Sequence, residues 1–131
     1  MDNQLSVISS LRVILRGYCS QGDNMNKLIS HVTSKFDIFS VDMSGTTSFT
    51  MRVKKSNIRK GRDIWGYYNQ NVSEAVHEFI CNNYNDIYMN YCNSPGWKNY
   101  QDVISCIVNK NNTIQLFNVV LLSENIVIIM V

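Results

Sequence analysis

Apolar and polar residues alternate along residues 36–54, and this period of two predicts a β-hairpin. Phe49, Met51 and Val53 alternate with polar or basic residues, and a turn signal at residues 44–46 separates them from the apolar positions of residues 36–43. The second strand of this hairpin therefore places one face in a core and presents a positively charged face to its surroundings.

Apolar spacings of three and four residues predict two helices. The first covers Asn26–Lys35, and the main helix covers residues 71–84. Asn71 is suited to cap the main helix, because Glu74 follows three residues later as in a capping box. Apolar positions beyond residue 84 allow the helix to continue to about residue 92. Residues 5–15 fit a helix and a strand equally well, and residues 17–26 read as a loop.

The C-terminal third predicts a β-meander with strands at residues 100–108, 113–122 and 126–131 and turns at residues 109–112 and 123–125. The last strand is apolar on both faces, so it must be covered on both sides, within the fold or by a partner chain. The expected fold is α+β, with an antiparallel sheet, one main helix and a C-terminal meander in a single domain over residues 1–131.

The composition is that of a globular protein, since 45% of the 131 residues are hydrophobic and 17% are charged. The net charge of +2 excludes a histone-like protein and a protein with an acidic tail. Asn occurs 17 times and Ala once, as in proteins from AT-rich genomes such as those of many viruses and of some parasites and bacteria. Neither a secretory signal nor an uninterrupted apolar run long enough to span a bilayer is present, so we expect a protein that is soluble or peripheral to a membrane.

Positive charge is concentrated in one short segment, which we call the basic segment. It contains six of the twelve basic residues: Arg52, Lys54, Lys55, Arg59, Lys60 and Arg62. The other six basic and ten acidic residues leave the rest of the chain with a net charge of −4. The segment is a candidate site for anionic lipid or nucleic acid, supported by the aromatic residues Trp65, Tyr67 and Tyr68. The alternatives are a solvated hairpin edge and ordinary core aromatics.

Catalytic, cofactor and metal motifs are not evident. His77 and Cys81 share one side of the main helix, but structural zinc usually needs four ligands, and both His31 and Cys19 would have to join them through the fold. His77, Glu78 and Asp86 do not form a nucleophile with its base. The four cysteines lack a Cys-x-x-Cys pair, and we expect reduced, buried thiols.

The middle of the chain resembles the core of rhabdovirus matrix proteins of the vesicular stomatitis type. The resemblance spans residues 48–109 and rests on the order of four features: the basic alternating strand 49–57, the helix 72–84 followed by residues 86–89, the bend Pro95–Gly96–Trp97, and the strand 100–108. It implies a core in which a helix packs on a bent sheet. The proline-containing budding motifs of that family are absent, because the chain has one proline, and the chain is short for the family.

The resemblance implies a non-enzymatic virion protein that self-associates and bridges the inner membrane leaflet and the nucleocapsid. In that case Arg52, Lys54 and Lys55 would belong to the surface facing lipid or ribonucleoprotein. Self-association is expected through Trp97, Ile126, Ile128 and Met130. The expected location is the virion and the host cytoplasm, peripheral to the membrane. Two alternatives are a soluble viral protein that binds RNA or a host factor, and a small hydrolase or immunity-type domain.

Overall fold

The computed structural model describes residues 12–54, 63–91 and 116–131, with side chains up to residue 87 in the second range. Helix α1 includes residues 12–19, and helix α2 covers Asn24–Thr33. A hairpin of β1 (Ile38–Met43) and β2 (Ser48–Val53) follows. After helices α3 (Ile64–Asn82) and α4 (Tyr84–Tyr91), the described chain ends in strands β3 (Asn118–Ser123) and β4 (Ile126–Met130). The fold is α+β, as predicted.

Helix α1 corrects the prediction of a loop over residues 17–26. Ile14, Leu15, Tyr18 and Cys19 are all buried, and their spacing forms one continuous helical stripe. Helical structure therefore runs through Gly17 to residue 19, and the turn into α2 takes only residues 20–23. The prediction left residues 5–15 open between helix and strand, and residues 12–15 are helical.

The main helix begins earlier than predicted, at Ile64 rather than at residue 71. Asn71 lies inside α3 and its side chain donates a hydrogen bond to the Tyr67 carbonyl at 2.8 Å, so it does not cap a helix. The predicted extension beyond residue 84 exists as the separate helix α4. The break falls at Asn83, where the side-chain amide donates to the Phe79 carbonyl at 2.8 Å and ends α3.

In the described residues the sheet has four strands in the order β1-β2-β4-β3, and all neighbours are antiparallel. The two C-terminal strands form the predicted hairpin, joined by a turn at residues 124–125. The predicted strand 100–108 and the turn 109–112 lie outside the described residues. Strand β4 is central, because it pairs with β2 on one side and with β3 on the other.

One face of the sheet and the helices share a single hydrophobic core. Successive strand residues point to opposite faces, and the fully buried strand positions are Phe49, Met51, Val53, Val127 and Ile129. We call this side the inner face of the sheet and the opposite side the outer face. Long-range hydrogen bonds from α1 and α3 reach residues that flank β4. The Arg16 Nε donates to the Val131 carbonyl at 3.1 Å, and the Tyr68 hydroxyl donates to the Glu124 carbonyl at 2.8 Å.

Strand β4 allows a test of this two-faced packing with one residue type. Ile129 is fully buried on the inner face, whereas Ile128 is only partly buried on the outer face. We expect Ile129→Ala to lower the free energy of unfolding by about 2–5 kcal/mol, because it opens a cavity in the core. Ile128→Ala has the same strand propensity cost and should lower it clearly less. Urea unfolding measures both, and equal losses would contradict a one-sided core.

Candidate interaction surface

The outer face of the sheet is divided into an apolar half and a polar half. Strand register places Val120 beside Ile128, and Ile128 beside Thr50. The apolar half is formed by Val120 on β3 and by Ile126, Ile128 and Met130 on β4. The polar half is formed by Ser40 and Asp42 on β1 and by Ser48, Thr50 and Arg52 on β2. Among the described residues, no helix covers this face.

The apolar half retains substantial solvent exposure. Val120 is 40% exposed, Met130 is 37% exposed, and Ile126 and Ile128 are partly buried. Leu122, at the bulge where the register of β3 shifts, is 62% exposed. The three β4 residues are among those predicted from the sequence, whereas Val120 and Leu122 are not. They lie in the run Val119–Leu122, in which every residue is apolar, so alternation could not separate inner from outer positions.

Arg52 connects the basic segment to this surface. Its partners across the sheet are Ser40 and Ile126, so it lies on the outer face, where it is exposed. Lys54 follows after the strand has ended and is partly neutralised. Its Nζ lies 3.4 Å from the Asp37 carboxylate and 5.5 Å from the centre of the Phe39 ring. Lys55, Arg59, Lys60 and Arg62 lie outside the described residues.

The three predicted supporting aromatic residues occupy different environments. Tyr68 is fully buried and cannot present its ring to a base or a lipid. Burial also raises the pKa of its hydroxyl to about 12. Tyr67 is partly buried and packs edge-on against Phe36 and Tyr68. Trp65 is 47% exposed, so of the three it presents the most ring surface to solvent. For Tyr68 the core alternative is the correct one.

The Trp65 side chain is held against the edge of β3 that no other described strand pairs with. Val53 N donates to Asn125 O, and Val131 N donates to Thr47 O. Because bonded residues alternate along an antiparallel strand, the odd-numbered residues of β4 bond to β2 and the even-numbered ones bond to β3. The partners in β3 are Asn118 and Val120, which leaves the Val119 carbonyl pointing away from β4. The Trp65 indole Nε1 donates to that carbonyl at 3.0 Å.

A polar cluster joins α2 to α3 on another part of the surface. Glu78 Oε2 lies 2.7 Å from Lys35 Nζ and 3.1 Å from His31 Nε2. The hydrogen bond from Lys35 is the largest cause that lowers the pKa of the Glu78 carboxyl. The charge of Lys35 and the hydrogen bond and charge of His31 lower this pKa further. These groups hold two helices together. Asp23, Asn26, Lys27, Ser30, His31 and Ser34 line a shallow open groove beside the cluster.

The two described cysteines differ in their exposure to solvent. Cys19 is buried, as predicted, and burial raises its pKa to about 12, which keeps the thiol protonated. Cys81 is exposed, contrary to the prediction of buried cysteines, and its Sγ lies 4.0 Å from His77 Nε2. Within the described residues, no group of three or more His, Cys, Asp or Glu side chains could hold a metal ion. Cys92, Cys106 and Trp97 lie outside those residues.

The described part of the chain also contains no helix with the length and apolar character needed to cross a bilayer. Comparison with family models, curated proteins and solved structures finds nothing that matches this chain. The surface is therefore interpreted from its own residues.

The Trp65 hydrogen bond can be tested by removing its donor alone. Trp65→Phe keeps an aromatic ring and loses the indole N–H, so the Val119 carbonyl loses this donor. We expect a loss of about 0.5–1.5 kcal/mol in the free energy of unfolding. Amide hydrogen exchange should rise along β3 more than along β2. Unchanged exchange along β3 would mean that the indole does not stabilise this edge.

The Glu78 cluster predicts a specific acid response. A carboxyl with a lowered folded pKa adds stability above its unfolded pKa and loses that contribution as the pH falls through its folded pKa. Stability from Glu78 is therefore complete above the ordinary value of 4.5 and disappears below it. As the pH falls below 4.5, the melting temperature of Glu78→Gln should therefore change less than that of the parent protein. Glu74→Gln, on the same helix and without an ion pair among the described residues, is the control.

Proposed function

We propose that this chain is a non-enzymatic, matrix-like structural protein that self-associates and bridges an anionic membrane leaflet and a ribonucleoprotein. The observation that carries the proposal is the position of Arg52. It places the start of the basic segment on an exposed sheet face, beside an apolar half that no described helix covers.

Electrostatics supports an anionic partner. The basic segment has a charge of +6 and contains no acidic residue, whereas the rest of the chain has a net charge of −4. A protein polarised in this way approaches an anionic surface in one orientation. Each cation near such a surface contributes about 1 kcal/mol, and the Asp37 pairing reduces the share of Lys54. Binding of this kind is weakened by salt.

Self-association would strengthen this weak binding. Linked copies raise the effective concentration of each basic segment at the surface, so that modest individual affinities give a tight overall attachment. The rhabdovirus resemblance supports the same assignment through the order of its strand, helix and bend, all of which fall within residues 48–109. A structural protein of this kind requires no catalytic group.

A charge-matched comparison tests the proposal. Lys55, Arg59 and Lys60 are changed to Gln in one variant, and Lys27, Lys98 and Lys110 are changed to Gln in the other. Both variants have the same net charge of −1. We expect the first variant to bind phosphatidylserine-containing vesicles about tenfold or more weakly than the second, since roughly 1 kcal/mol per cation is lost. Vesicle sedimentation at low salt measures this difference.

The same pair of variants is then tested for binding to a labelled RNA oligonucleotide and to phosphatidylcholine vesicles without anionic lipid. Equal binding of both variants to anionic vesicles would overturn the proposal. Loss of RNA binding alone, with vesicle binding unchanged, would instead support a soluble RNA-binding protein. Light scattering over a concentration series measures self-association, and a strictly monomeric protein would contradict the matrix-like part of the proposal.

A further inference from the structure

We propose that His77 and Cys81, near the end of α3, form an open two-donor site for Zn²⁺ or a divalent transition-metal ion with the same donor preference. We call these two residues the His77–Cys81 pair. The inference goes beyond the proposed function, because it uses neither the basic segment nor the outer face of the sheet.

The two donor atoms of the pair lie within chelating reach of each other. Residues four apart share one side of a helix, and Cys81 Sγ lies 4.0 Å from His77 Nε2. Zinc bonds of about 2.3 Å to sulfur and about 2.0–2.1 Å to nitrogen separate two donors by roughly 3.6 Å in tetrahedral coordination. Cys81 is exposed and His77 is partly buried, so an ion from solvent can reach both after a small side-chain adjustment.

The chemistry of the donors selects the class of ion. Imidazole nitrogen and thiolate sulfur are preferred ligands of Zn²⁺, whereas Mg²⁺ and Ca²⁺ prefer oxygen. Burial raises the pKa of the Cys81 thiol, so the thiol proton must be displaced to solvent when the metal–sulfur bond forms. The pair then provides one anionic and one neutral donor to the bound ion.

The charge around the pair favours a cation. Helix α3 contains Glu74 and Glu78 within one turn of the pair and has no lysine or arginine, and the first turn of α4 adds Asp86. His31 and Lys35 of α2 contact Glu78 and offset part of its charge. The last turn of α3 has no basic residue, so the partial negative charge of the helix C-terminus is not offset there. A metal ion at the pair would supply that positive charge.

The site is open, which distinguishes it from a structural zinc site. A closed site needs four protein ligands, and no third His, Cys, Asp or Glu side chain of the described residues completes a metal-binding group with the pair. Cys19 is buried and His31 contacts Glu78, so neither joins it. Water or an added ligand would occupy the remaining positions, and we expect one ion per chain.

Calorimetric titration of the reduced protein with Zn²⁺ tests the site. Cys81→Ser and His77→Gln each remove one donor. The controls are His31→Gln and the double variant Cys92→Ser with Cys106→Ser, which remove the same kinds of donor elsewhere in the chain. Thermal melting in the presence of EDTA establishes that each variant remains folded without metal.

We expect both donor variants to bind Zn²⁺ at least about tenfold more weakly than the parent protein, because loss of even an outer partner of a ligand costs roughly ten- to hundredfold. The controls should bind as the parent does. Zn²⁺ should raise the melting temperature of the parent more than that of either donor variant. With Co²⁺ as the probe, the thiolate-to-metal absorption should be lost in Cys81→Ser and retained in the double cysteine control.

Three results would overturn the inference. Equal Zn²⁺ binding by the parent and by Cys81→Ser would mean that the ion is adventitious. Loss of binding in the double cysteine control would place the ligands elsewhere in the chain. One ion per two chains would mean that a second copy completes the coordination, which contradicts a single-chain site. None of these results changes vesicle binding by the charge-matched variants, so the proposed function is tested separately.

Discussion

The two-sided pairing of β4 is the constraint on which the rest of the structure depends. This strand contains five consecutive apolar residues, and it satisfies its main-chain groups by bonding to β2 with odd-numbered residues and to β3 with even-numbered ones. The same alternation sends Val127 and Ile129 into the core. The remaining apolar side chains of the strand must then point outward. The apolar outer face is therefore a direct result of placing an all-apolar strand at the centre of a sheet whose described helices all lie on one side.

Local patterns predicted the elements with a clear period. The hairpin of β1 and β2 followed from alternation, and α2 followed from spacings of three and four with a shift of two residues. The local pattern does not indicate the start of α3. Trp65, Tyr67 and Tyr68 follow a dense run of cations, and this combination is typical of a binding segment rather than of a helix start. Tertiary contacts decide this helix end, since the Tyr68 hydroxyl and the Trp65 indole bond to carbonyls more than fifty residues away. Such contacts have no local signature.

The candidate surface could be predicted only in part for a similar reason. Charge concentration is visible in the sequence, and it led directly to Arg52 and its neighbours. Strand order is not visible, so the proximity of Arg52 to Ile126 required the pairing of β2 with β4. The contact between Lys54 and Asp37 is not visible in the sequence either. Lys54 follows β2 and Asp37 precedes β1, and only the pairing of the two strands brings them together. Long-range pairing therefore determines which of the cations share a face with the apolar half.

The contact between Trp65 and the Val119 carbonyl bears on whether another strand can add to β3. Within the described sheet, β3 is an outer strand without a charged residue, and such a strand is a template on which another chain could continue the sheet. The indole occupies one of the acceptors that such growth requires. At the other outer strand, β1, an irregular register near Ile38 and the charge of Asp42 oppose the same process. Both outer strands of the described sheet therefore carry a feature that opposes the addition of a further strand.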